Sequence, residues 1–177
     1  ILPAAETMQA VRQTPHLSFF DFPTWCWWGA GSAALHLQAA LGVACSLLLV
    51  AGVANAPLLL FTWSLYLSFA TIGRIFMGYQ WDNLLLEAGL LAPLLAPAWA
   101  PLARRRPATP KLATLLHRFL VFRLMFSSGF VKLASGDPSW RELGAMKYHF
   151  ETQPIPTGLT WYVHRLPEFV LEATVLL

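Results

Sequence analysis

Four long apolar runs, at residues 32–54, 57–77, 82–102 and 112–134, constrain this chain more than anything else in it. Roughly 20 apolar residues in helical form cross the ~30 Å hydrocarbon core of a bilayer. Lipid offers the backbone no hydrogen-bond partners, so such runs are read as helices that satisfy their own peptide groups. Composition agrees. The chain is 56% hydrophobic and 12% charged, where a soluble domain carries about 25% charged residues. The expected fold class is therefore all-α, a polytopic transmembrane helix bundle with four spans and the start of a fifth at 168–177. The net charge of +3 is small, and the basic residues form no interleaved stripe. That pattern argues against nucleic acid as a partner and for membrane lipids.

Each run carries its own punctuation. Residues 1–31 read as a non-cytoplasmic loop rich in aromatics, with Phe19, Phe20, Phe22, Trp25, Trp27 and Trp28. Such clusters anchor at the membrane–water interface. The segment has Pro3 and Glu6 where a signal peptide would be apolar, so it is no signal peptide. The first span holds no formal charge, and His36 and Gln38 near its start are expected at headgroup depth. Asn55-Ala56-Pro57 is a tight connection, with Pro suited to the first turn of the next helix. Arg74 ends the second span, where its stem can snorkel. Pro93 and Pro97 should kink or break the third. The two cysteines, Cys26 and Cys45, are not expected to form a disulfide. Both termini read as cut from a longer protein.

Residues 103–111 form a short loop with three consecutive arginines. Short basic loops remain cytoplasmic. The polar segment 135–167 then lies on the opposite, luminal or exterior side.

Ionisable residues inside apolar runs are expensive and mark structure or function. Gln80, Asn83 and Glu87 fall on one helical stripe, with Asp82 pointing elsewhere. Arg118, Met125 and Lys132 share a face, while Arg123 lies nearly opposite Lys132. Asp82 and Glu87 are expected to pair with Arg74, Arg123 or Lys132, the other reading being cation binding or proton relay. Lys132 reads first as a structural lysine paired with Glu87 or Asp82, and alternatively as a base with a burial-lowered pKa. Trp140, Arg141, Tyr148, His149, Glu151 and Gln153 form a polar–aromatic cluster that could contact a client or cap the bundle. His149 is read as a solvated loop histidine. No zinc or paired-histidine spacing is present, no cofactor is expected, and no GxSxG supports a serine hydrolase.

Three blocks carry a family resemblance: Tyr79–Gly89 (YQWDNLLLEAG), Arg118–Leu133 (RFLVFRLMFSSGFVKL), and SGDPSWR at 135–141 followed by YHFETQPIP at 148–156. They resemble the lipase maturation factors, polytopic membrane proteins. The resemblance implies a factor that assists folding and assembly of secreted lipases. It implies the endoplasmic reticulum membrane in an animal, the cytoplasmic membrane in a bacterium, and a large luminal domain after the spans. Ser128–Leu133 with Asp137 and Trp140 also resembles, more distantly, the vitamin K-dependent γ-glutamyl carboxylases. That resemblance implies a catalytic base at Lys132 acting on a lipid-soluble substrate. The carboxylases have two adjacent lysines where this chain has Val131-Lys132.

Overall fold

A computed structural model describes residues 3–53, 55–97, 109–153 and 157–176. Among these residues the secondary structure is all-helical. Three helices are long and apolar enough to cross a membrane: α2 (Ser32–Val50), α3 (Ala56–Gly73) with its 3-10 extension to Met77, and α5 (Lys111–Ala134). The third expected span, 82–102, is different. It holds α4 (Gln80–Leu91), 12 residues long, and then a 3-10 turn over Ala92–Leu95 that contains Pro93. Twelve residues rise only about 18 Å, too short to cross alone. Residues 98–102, and 103–108 of the basic loop, lie outside the described residues. The chain divides into two compact units, residues 1–120 and 121–177.

In the first unit, α1 (Ala4–Gln13) replaces the loop expected at the N-terminus. Glu6 in its first turn and Arg12 in its last complement the helix dipole. Thr7, Met8 and Val11 are buried, and the last two pack on Cys26 beside Phe22, Trp27, Leu35 and Ile72. Ala4, Thr7, Met8 and Val11 fall at i, i+3, i+4 and i+7, the inward stripe of an amphipathic helix.

The ends of the spans have identifiable caps. After α2, Gly52 adopts φ +95°, and the Val53 and Gly52 amides donate to Leu48 O and Leu49 O, both at 3.0 Å. This is a Schellman closure, which favours glycine at that φ. Asn55 Oδ1 accepts from the Leu58 amide at 2.9 Å, and Pro57 lies in the first turn of α3, as its sequence predicts. At the other end Arg74 takes φ +48°, which stops α3, and its side chain is exposed.

α3 and α4 run antiparallel. The Ala56 amide donates to Pro97 O at 3.0 Å, Trp63 Nε1 donates to Leu86 O at 2.8 Å, and the Tyr66 hydroxyl donates to Asp82 Oδ1 at 2.6 Å. Gly89 makes this approach possible, because a Cβ there would lie 2.9 Å from Trp63 Cδ1. Gly89→Ala is therefore expected to displace the indole and weaken its bond to Leu86. The gain in helix propensity, up to ~1 kcal/mol, is smaller than the combined packing and hydrogen-bond loss. A net destabilisation of about 1 kcal/mol should appear as a lower melting temperature of the full-length protein in detergent.

The second unit comprises the end of α5 and four short helices: α6 (Pro138–Arg141), α7 (Ala145–Thr152), α8 (Thr160–His164) and α9 (Glu168–Val175). Among the described residues the segment 135–167 holds three short helices, and His149 sits on α7 rather than in a loop. Lys147 on α7 pairs with Glu168 on α9. Glu151 on α7 lies 3.6 Å from His164 Nε2 on α8. Ala145, Thr160 and Leu171 form the buried interior of this unit.

Candidate functional site

The side chains that carry chemistry in the second unit gather where α5 ends. Gly136, at φ +74°, turns the chain there, and Asp137 begins α6. Asp137 Oδ1 accepts from the Ser139 amide at 2.9 Å. That bond, with a further one to the Ser139 side chain, holds the Asp137 carboxyl below the ordinary carboxylate range. Lys132 Nζ lies over the Trp140 ring, 4.7 Å from its centroid. Lys132, Asp137, Ser139, Trp140, Tyr148 and His149 are among the residues lining a hollow of about 340 Å³. This brings together four of the residues singled out in the sequence: Lys132, Trp140, Tyr148 and His149.

The remaining candidates are elsewhere. Glu151 engages His164, and Gln153 Nε2 donates to Thr160 Oγ1 at 2.9 Å, so both brace α7 against the α8 region. Arg141, Arg118 and Arg123 are exposed. In the first unit Asn83 is exposed and Glu87 half-buried on α4. Asp82 departs from the expected ion pair or cation site. It is buried, 6% exposed, and it is held by Tyr66 and by the Tyr79 amide, which donates to Oδ2 at 3.3 Å. Its role there is to start α4 and fasten it to α3.

Lys132 is exposed, and among the described residues it makes no ion pair within its own unit.

Sequence reasoning missed a buried polar cluster between the N-terminal segment, α2 and α3. Ser68 Oγ donates to Gln38 Oε1 at 2.9 Å and accepts from the Trp25 amide at 2.9 Å. Its single proton is thereby committed, so Thr24 is the donor in the 2.9 Å contact between the two hydroxyls. The Cys26 amide donates to Thr24 Oγ1 at 3.2 Å. Gln38 is thus buried against protein groups. Cys26 and Cys45 are both free thiols. The available signal was Ser64, Ser68 and Thr71 on one face of an apolar helix. Such groups within a span need partners.

The family described as the lipase maturation factor transmembrane domain matches residues 1–177. The chain is 39% identical over 191 aligned residues to human lipase maturation factor 2, covering 99% of this chain and 27% of that protein. It is 37% identical to human lipase maturation factor 1 over 155 aligned residues, covering 84% of this chain and 27% of that protein. The chain belongs to the lipase maturation factor family. With three helices able to cross a membrane, this family member is an integral membrane protein. Lipase maturation factor 2 of Xenopus laevis is also similar, 37% identical over 184 residues, covering 99% of this chain and 26% of that protein. The chain thus spans just over a quarter of the length of these lipase maturation factors. No solved structure matches it. These relatives give no support to the carboxylase alternative.

Asp137 gives this region a pH dependence with a definite sign. A carboxyl whose folded pKa is lowered contributes stability that is fully present above its unfolded pKa, about 3.9. That contribution is lost as pH falls through the folded value. Asp137→Ala should fray α6 at neutral pH, whereas Asp137→Asn should retain the cap. The Asp137-dependent protection of the Ser139 amide from hydrogen exchange should persist at neutral pH and disappear only below about pH 4.

Proposed function

We propose that this chain is the membrane-embedded part of a lipase maturation factor. In this reading its spans anchor the protein in lipid, and its second unit offers a surface to a secreted lipase during folding and assembly. The family match across residues 1–177 carries the reading. The layout of the second unit supports it. Arg141, Tyr148 and His149 are exposed beside the end of a membrane helix, with α7 braced from behind by α8 and α9. A rigid platform with exposed aromatic and charged groups suits contact with a partly folded client. The cytoplasmic assignment of the basic loop 103–111 would place this unit on the luminal or exterior face, where a secreted client folds. The compartment is the endoplasmic reticulum membrane in a eukaryote and the cytoplasmic membrane in a bacterium. The role is that of a folding factor, not an enzyme.

The test is site-specific photo-crosslinking in the full-length protein, with the photoreactive residue at Arg141 or Tyr148 and a newly synthesised secreted lipase as the client. The expected result is a lipase adduct at both positions, absent for a secreted non-lipase control. Lack of adduct at any exposed position of the second unit would overturn the assignment of that surface.

A further inference from the structure

The hollow beside Lys132 has the chemistry and the depth of a lipid site. A helix of 24 residues, the length of α5, rises about 36 Å. This exceeds a hydrocarbon core of ~30 Å, so the last turn of a spanning α5 lies among headgroups. Lys132 is in that turn. Its ammonium is held above the half-buried Trp140, and Tyr148 and His149 flank the same hollow. Asp137 also lines it as an ionised carboxylate, with Oδ1 accepting from the Ser139 amide, so an anionic group fits only on the Lys132 side of the hollow. About 340 Å³ is at the lower end of the range for small-ligand pockets and suits a headgroup rather than a whole lipid.

A second observation lies on α5 itself. One turn before Lys132 are Ser128 and Gly129, and a Cβ added at Gly129 would meet nothing within 4 Å. Met125, a further turn back, is 64% exposed. Met125, Ser128 and Gly129 thus form an exposed face of α5 that runs up to Lys132.

The geometry points to a binding site for a single phospholipid, with its phosphate on Lys132, its headgroup in the hollow between Trp140, Tyr148 and His149, and an acyl chain along Ser128, Gly129 and Met125. Lysine serves here as a point charge for phosphate, with the tyrosine hydroxyl as an added donor. This site is independent of the lipase reading, because its readout is bound lipid.

The test is native mass spectrometry of the full-length protein purified in detergent and titrated with phosphatidylglycerol, with inorganic phosphate as competitor. Wild type should retain one lipid tightly. Lys132→Gln should weaken retention about tenfold or more, and Lys132→Arg should preserve it. Gly129→Leu should weaken retention with the charge intact, which separates chain seating from phosphate binding and covers the case in which Lys132→Gln does not fold. Equal retention by wild type, Lys132→Gln and Gly129→Leu would overturn the site. Displacement of the lipid by millimolar inorganic phosphate would also overturn it, by showing a site for free phosphate.

Discussion

Ser68→Ala is expected to be among the most damaging single substitutions in the first unit. Ser68 is 1% exposed, and its hydroxyl is shared by Gln38, the Trp25 amide and Thr24. Side-chain hydrogen bonds between membrane helices average only about 0.6 kcal/mol each. A lone bond would thus matter little. Here one hydroxyl serves three groups, two of them on the buried residues Thr24 and Gln38, and a buried unsatisfied group costs about 1–3 kcal/mol. The expected loss is about 2–3 kcal/mol, read as a lower unfolding midpoint of the full-length protein in detergent. Ser64→Ala is the contrast. It removes the 3.2 Å bond from Trp25 Nε1 and leaves the indole half-buried, so it should cost under ~1 kcal/mol. If the two variants behaved alike, the network would not be the element that docks the N-terminal segment onto α2 and α3.

The second large effect is expected at Tyr66. Tyr66→Phe keeps the ring and deletes the hydroxyl that donates to Asp82 Oδ1 at 2.6 Å. Oδ1 of a carboxyl only 6% exposed then loses this donor. The penalty should be about 2 kcal/mol, within the range for hydrogen bonds to charged or buried groups. Asp82→Asn keeps an oxygen facing Tyr66 and should cost less. The double variant Tyr66→Phe/Asp82→Leu removes both partners, and should recover much of the single-variant loss. A double-mutant cycle on thermal unfolding measures this directly. Additive losses would mean that Asp82 draws its stability from some other contact.

These two sites also show where sequence reasoning was sufficient and where it was not. The all-α membrane class was legible because long charge-free runs such as α2 have few other outcomes. Asn55 and Pro57 at the start of α3 were legible because capping is local chemistry. The family was legible from the chemically unusual strings at 79–89 and 118–133. Partners were harder. Asp82 resembled half of an ion pair, yet its partner is the neutral hydroxyl of Tyr66, 16 residues earlier in the chain. Partner choice depends on how α3 and α4 approach each other, and Gly89 against Trp63 controls that approach. The burial of Gln38 was not legible, because it depends on the N-terminal segment folding back over α2 and α3. The signal for α1 was present in the sequence, in Ala4, Met8 and Val11 at helical spacing. In the candidate site, the residue types were legible and their convergence was not. Lys132, Trp140, Tyr148 and His149 line one hollow only after the chain has turned at Gly136 and folded α6 and α7.

The central claim, that this chain is the membrane part of a functional lipase maturation factor, is tested most directly by complementation. Cells lacking their own lipase maturation factors would express the full-length protein, and active lipase in the medium would be measured. Restored lipase activity, with no change in a secreted non-lipase control, is the result this account predicts. Correctly inserted, stable protein that restores no lipase activity would contradict it.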